Sequence, residues 1–243
     1  MQKKTDKNVS KKNFPKSIKI VAEGVRCYQI KADHQPLETS EGSVIQVPSK
    51  FLATAIADEL KNQLDKTQKE STTLFKLASI AIDQIASNRE STIYHLMKYA
   101  ETDLLCYWRE PTTELGKIQS TAWSPLLKWA EEVLGARMKI TCLVSPVQQS
   151  RKALTAIKQA VEGLGPHELA PLVLSTQASG SIIVGLAIIF DVINIEHAIE
   201  ISQLDEIYQE EKWGSDVEMS ARRNSLSEDL YVAGNYIKLL KAN

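Results

Sequence analysis

Cysteine is scarce in this chain and poorly placed for chemistry. Its three cysteines, Cys27, Cys106 and Cys142, are widely separated, with no C-x-x-C and no paired framework, which favours a reduced compartment over a disulfide scaffold. The four histidines, His34, His95, His167 and His197, show no H-x-x-x-H and no Cys/His spacing, so no zinc site is expected. No G-x-x-x-x-G-K-[ST] occurs, and no G-x-G-x-x-G follows a strand. An ATPase or a dehydrogenase therefore has no residues to rest on, and no metal or cofactor is expected. Long apolar runs are also missing. The best candidate, "SGSIIVGLAIIFDVI" at 179–193, reaches nine consecutive apolar or glycine positions before Asp191, well short of the roughly 20 that span a bilayer. The N-terminus has neither the apolar core of a secretory signal nor an Arg-rich amphipathic presequence, so a soluble, cytoplasmic bacterial protein is expected, with the mitochondrial matrix as the alternative.

Charge of one sign is lacking overall, since the formal net charge is −1, and no global field argues for nucleic acid or an anionic membrane. Locally the balance differs. Seven lysines stand against Asp6 in the first nineteen residues, and six acids against Lys212 in 205–218. Residues 1–16 read as a solvated basic tail. With 243 residues, 43% hydrophobic and 24% charged, the remainder is ordinary globular material that can bury a substantial core.

The order of elements predicts an α+β fold. "SIKIVAE", "RCYQIKAD" and "SVIQVP" between 17 and 48 are short, β-branched or alternating segments, punctuated by Gly24, "DHQP" and "SEGS", and predict a small antiparallel sheet. A helix over 50–64 follows, with Leu52, Ile56, Leu60 and Leu64 as its buried stripe. The polar "DKTQKEST" at 65–72 divides a β-rich domain (17–70) from an all-helical domain (71–243). In the latter, Ser87 and Glu90 read as a capping box opening a helix of 88–108 closed by Pro111. Ser124-Pro125 reads as a helix start with Gly135 as its stop. "RMKITCLVSP" at 137–146 reads as extended. Helices are then expected over 149–163, 166–177, 180–193 and 195–212, and a Ser215/Glu218 capping box opens a last helix to 241. Gly180, Gly185 and Ala187 would permit close backbone approach in a central buried helix.

"TDLLCYWREP" at 102–111 raises the question of a thiol enzyme. On one continuous helix, His95, Tyr99, Asp103 and Cys106 share a face opposite Ile93, Leu96, Met97, Ala100, Leu104 and Tyr107. His95 and Cys106 are then eleven residues apart, about 16 Å at 1.5 Å per residue, whereas a nucleophile and its base need a separation of roughly 3 Å. Asp103 beside Cys106 would also raise the thiol pKa. Cys106 is therefore read as a small buried hydrophobe. A small-molecule enzyme using Cys106 or the acidic 205–218 cluster is the competing reading.

"DEIYQEEKWGSD" at 205–216 is the other polar constellation. Asp205, Gln209 and Trp213 at i, i+4 and i+8 share a helical face, Glu206 lies beside it, and the helix ends at Gly214. A solvated acidic helix end with Trp213 packed at the corner would explain these residues. A tryptophan among acids, with Arg222 and Arg223 one helix later, equally suits a polar partner-binding surface.

Taken in order, "VPSKFLATAIADELKNQ" (47–63), "LASIAIDQI" (77–85), "TDLLCYW" (102–108), "WSPLLKWA" (123–130), "GSIIVGLAI" (180–188) and "LDEIYQEEKWGSD" (204–216) resemble the F1-ATPase assembly chaperone family that binds the α subunit, found in mitochondria and α-proteobacteria. Three positions depart from the family pattern. Leu60 stands where tryptophan is usual, "HQPL" replaces a "G-R-P-V" turn, and "WSPLL" stands for "WDPLL". The resemblance implies a small antiparallel β domain with a helix, then a larger helical domain. It also implies a non-enzymatic protein that holds the free F1 α subunit until the β subunit displaces it; a monomer is expected. On this basis Asp205, Glu206, Gln209, Trp213 and Asp216 are the expected partner-binding residues.

Overall fold

Strand β2 (Cys27–Ala32) organises the sheet, because three other strands pair with it. β1 (Ile18–Gly24) lies antiparallel on one side, with Ile20 opposite Ile30. β3 (Gln35–Pro36) folds back across Asp33 and His34, which both adopt positive φ (47° and 74°), as a tight primed hairpin turn requires. β4 (Gln46–Val47) pairs with Tyr28 and Gln29. The expected strand over 43–48 shortens to these two residues, with Val44 making only an isolated bridge to Glu38. A computed structural model describes residues 17–62, 73–143, 145–214 and 217–242 of the chain. The basic tail 1–16, the boundary segment 65–72 and the Ser215 cap lie outside those residues.

Helix α1 (Lys50–Asn62) lays Leu52 and Ile56 on the sheet beside Ile30, Ile45 and Val47, all fully buried, while Leu60 is half-buried. This is the expected stripe, except that Leu64 is among the residues not described. The helical body follows as α2 (Leu74–Ser79) running into a π-helical stretch to Ile85, α3 (Arg89–Glu101), α4 (Glu114–Trp129) with a π-helical continuation to Leu134, α5 (Arg151–Glu162), α6 (Pro166–Ser179), α7 (Ile182–Ile189), α8 (Ile195–Ser202), α9 (Leu204–Trp213) and α10 (Val217–Lys241).

Three expected helices are redrawn. α3 stops at Glu101, not 108, and Asn88 precedes it without a side-chain cap; Ser87 Oγ donates instead to the Asp83 carbonyl. α4 starts at Thr113, whose Oγ1 accepts from Gly116 N at 3.0 Å, so Pro125 lies inside the helix rather than at its start. The expected 195–212 helix divides at Gln203 into α8 and α9. Gly135 does end the α4 unit, at φ 76°, in the left-handed region where glycine carries no Cβ penalty.

Every residue of α7 is buried, and α6 and α10 pack beside it. A Cβ on Gly185 would come 2.7 Å from Thr176 Oγ1 and 2.9 Å from Leu172 Cδ1 of α6. The α6–α7 crossing therefore leaves no room for a side chain at position 185. Sheet and helical body share one hydrophobic cluster and two polar ties. Ser49 Oγ donates to Leu239 O at 2.6 Å. His167 Nδ1 lies 2.6 Å from the Tyr236 hydroxyl, and the His167 ring also meets the Gln46 backbone. Burial raises the Tyr236 pKa, so its hydroxyl keeps its proton within this hydrogen bond.

Gly185→Ala should lower stability by about 1–3 kcal/mol, the usual cost of overpacking a filled core, read as a lower urea midpoint with an unchanged m-value. A second test concerns pH. Burial lowers the His167 pKa from 6.5 to about 4, so the unfolded chain takes up the proton first and stability is lost as pH falls from about 6.5 to about 4. The stability difference between the wild type and His167→Gln, measured by urea unfolding across that window, should shrink as pH falls.

Candidate functional site

The segment 102–106 sets the floor of the site. Past the end of α3, Asp103 opens a single 3₁₀ turn, Leu104–Cys106. Asp103 and Cys106 are completely buried and do not lie on a helical face with exposed His95. The Asp103 carboxylate accepts from Leu105 N (3.0 Å), Ser181 Oγ (2.7 Å) and Ile183 N (3.1 Å). It thereby satisfies the start of α7, whose first amide groups have no partner within the helix. Burial pushes its pKa up to about 6, opposed by these three donors. Burial, and then the Asp103 charge, push the Cys106 thiol well above its ordinary value. The thiol is closed to solvent and held protonated, which removes it as a nucleophile.

The acidic helix α9 is positioned from two sides. Trp123, buried in α4, donates its indole N–H to Ile201 O at 2.8 Å. The following Gln203 leaves helical geometry and donates to Arg223 O (3.1 Å) and Ser227 Oγ (3.0 Å) of α10. On the α4 side, Asp205 accepts from buried Gln119 Nε2 at 2.7 Å, and Gln119 Oε1 accepts from Arg109 N at 2.6 Å. Tyr208 OH (3.0 Å) and Lys212 Nζ (2.9 Å) meet the Glu114 carboxylate. That contact holds the Glu114 pKa below, and the Lys212 pKa above, its ordinary value. On the α10 side, Glu210 pairs with Arg223.

The five expected partner-binding residues therefore separate. Asp205 turns inward onto α4, so it does not share an exposed face with Trp213. Glu206 points to solvent, Gln209 is half-buried, and Asp216 lies outside the described residues. Trp213 is 77% exposed and does not pack at the corner. Val217 (86% exposed) and Met219 continue the apolar surface onto α10. Beneath the corner is a cavity of about 270 Å³ between the C-terminal end of α6, Leu104, Glu206, Met219 and Arg223. A larger cavity of about 1180 Å³ lies between α1, α8 and the C-terminal half of α10. It is remote from the acidic helix and ends at Asn62 and Thr73, which flank the undescribed 63–72. Gln119, Gln203 and Glu210 were not among the expected site residues. The i, i+3, i+7 spacing of Asp205, Tyr208 and Lys212 was the one local sign of a face turned to a neighbour.

A family model for the ATP12 chaperone protein matches residues 12–131. The mitochondrial protein atp12 of Schizosaccharomyces pombe is 26% identical over 199 residues, covering 76% of this chain and 68% of that protein. The crystal structure of Atp12 from Paracoccus denitrificans superposes with a TM-score of 0.84 at 30% identity, covering 94% of this chain and 97% of that one. A protein of Agrobacterium tumefaciens described as a chaperone gives a TM-score of 0.87 at 30% identity, covering 94% of this chain and 85% of that one. Fold and likenesses together define a molecular chaperone with a role in F1-ATPase assembly. The chain belongs to the ATP12 chaperone family.

The two kinds of corner residue should respond differently to truncation. Asp205→Ala leaves the buried Gln119 amide without its acceptor and should cost about 1–3 kcal/mol in urea unfolding. Trp213→Ala, at an exposed position, should change stability by less than about 0.5 kcal/mol.

Proposed function

We propose that this protein is a holdase with one client, the free F1 α subunit, which it protects from aggregation until the β subunit displaces it. The observation that carries the reading is the α9–α10 corner, where Glu206 and Trp213 face outward on a helix braced from both sides. A client that must later be given up calls for an interface tight enough to cover a sticky patch yet small and polar enough to exchange. One tryptophan among charged side chains suits that purpose. Asp205 serves by organising the surface, through Gln119, while Glu206, Gln209, Trp213 and Asp216 supply contacts.

The protein works as a monomer and needs no catalysis. The competing reading, a small-molecule enzyme using Cys106 or the acidic cluster, loses support because the thiol is enclosed. Among the described residues no helix is long and apolar enough to cross a membrane. The bacterial cytoplasm is the proposed location, and the mitochondrial S. pombe relative supports the matrix as its alternative.

Glu206→Lys should abolish co-purification of the α subunit without changing the circular dichroism spectrum or the thermal midpoint. Undiminished capture of α by this variant would overturn the assignment of the corner.

A further inference from the structure

We propose that the cavity under the α9–α10 corner is a receptacle for a single basic side chain of the client, an arginine or lysine that pairs with Glu206. The inference rests on the α-subunit holdase reading and names what the site takes.

Size comes first. About 270 Å³ lies at the lower edge of the roughly 300–1,000 Å³ of small-molecule pockets and has room for one long side chain. Charge comes second. The cavity is lined by the C-terminal end of α6, Gln177–Ser179, and by the α8–α9 junction at Ser202 and Gln203. The C-terminus of α6 carries partial negative charge and favours a cation, whereas the end of α8 and the start of α9 meet at Gln203 and offset each other. Glu206 lines the same cavity and makes no ion pair or hydrogen bond among the described residues. The second acid, Glu210, is already engaged by Arg223, so those two charges offset each other. Arg222, also lining the cavity, is exposed.

The remaining walls explain how one ion pair could hold there. Leu104, Ala178, Met219 and Leu226 give an apolar sleeve for the methylene stem of a long basic side chain, whose head stays with the carboxylate. Glu206 stands at the solvent-exposed mouth, so a pair formed there is screened by salt. Trp213 and Val217 stand exposed at the same corner, offering apolar ground to the client surface that carries the cation.

The test measures binding of the full-length protein to purified F1 α subunit by titration calorimetry at low and high salt. Wild-type binding is the control for the holdase reading, and its absence would sink that reading rather than the receptacle alone. Given wild-type binding, Glu206→Gln should weaken the affinity about tenfold, as loss of a charge-assisted hydrogen bond does, and should flatten its salt dependence. Because the Glu206 side chain makes no bond among the described residues, the variant should keep the wild-type thermal midpoint. Arg222→Gln should leave affinity unchanged or tighten it. Glu206→Lys should regain binding to an α variant whose contacting basic residue is replaced by glutamate. Unchanged affinity for Glu206→Gln would refute the receptacle. Loss of binding in Arg222→Gln alone would show that the cavity takes an acidic side chain instead.

Discussion

The helical body depends on a carboxylate that never meets water. α7 has no exposed residue, so its amino end cannot be satisfied by solvent, and the cost of leaving buried amides unpaired is too high to tolerate. Asp103 resolves this from seventy-eight residues away in sequence. It takes the Ser181 hydroxyl and the Ile183 amide and at the same time caps its own short turn. The negative charge sits where the helix dipole favours it, which offsets part of the cost of its burial. Because the residue after Asp103 is thereby fixed against Gly180, with Leu104 N bonded to Gly180 O at 3.2 Å, the floor of the cavity under the α9–α10 corner follows from the same interaction.

How much of this was legible in the sequence depends on the range of the forces involved. The α1 stripe, the glycine stop at 135 and the central helix around Gly185 were readable, because each is decided by periodicity or by one residue's backbone freedom. The end of α3 was not. Its apolar spacing continues past Glu101, and only the demand of α7 for a buried acceptor, a tertiary matter, pulls Asp103 out of the helix. Pro125 misled for a related reason: it has the form of a helix start, but Thr113 twelve residues earlier supplies the actual cap. The acidic segment was recognised as a unit, yet the sequence could not tell which of its acids faced inward. That required knowing that Gln119 lies opposite Asp205, and no local pattern marks a buried glutamine.

The chemistry of the corner follows from this division of labour. α9 is short and half-exposed, and such a helix is marginal alone. Its ties to α4 and α10 convert it into a rigid element whose outer residues bear no structural duty. Glu206 and Trp213, both exposed, can therefore vary at little cost to stability. A chaperone that displays a preformed surface avoids ordering its own chain on binding.

Gln119 carries a mechanical implication. Its carbonyl holds the backbone at Arg109 and its amide holds Asp205, so one rigid side-chain plane couples two stretches almost a hundred residues apart in the chain. The acidic helix is thereby linked through that plane to the "TDLLCYW" segment, and from Asp103 to the enclosed helix at the centre of the molecule. Any displacement of the corner must therefore disturb hydrogen bonds that reach into the helical body, so the shape of its outer surface is tied to the packing at the centre of the molecule.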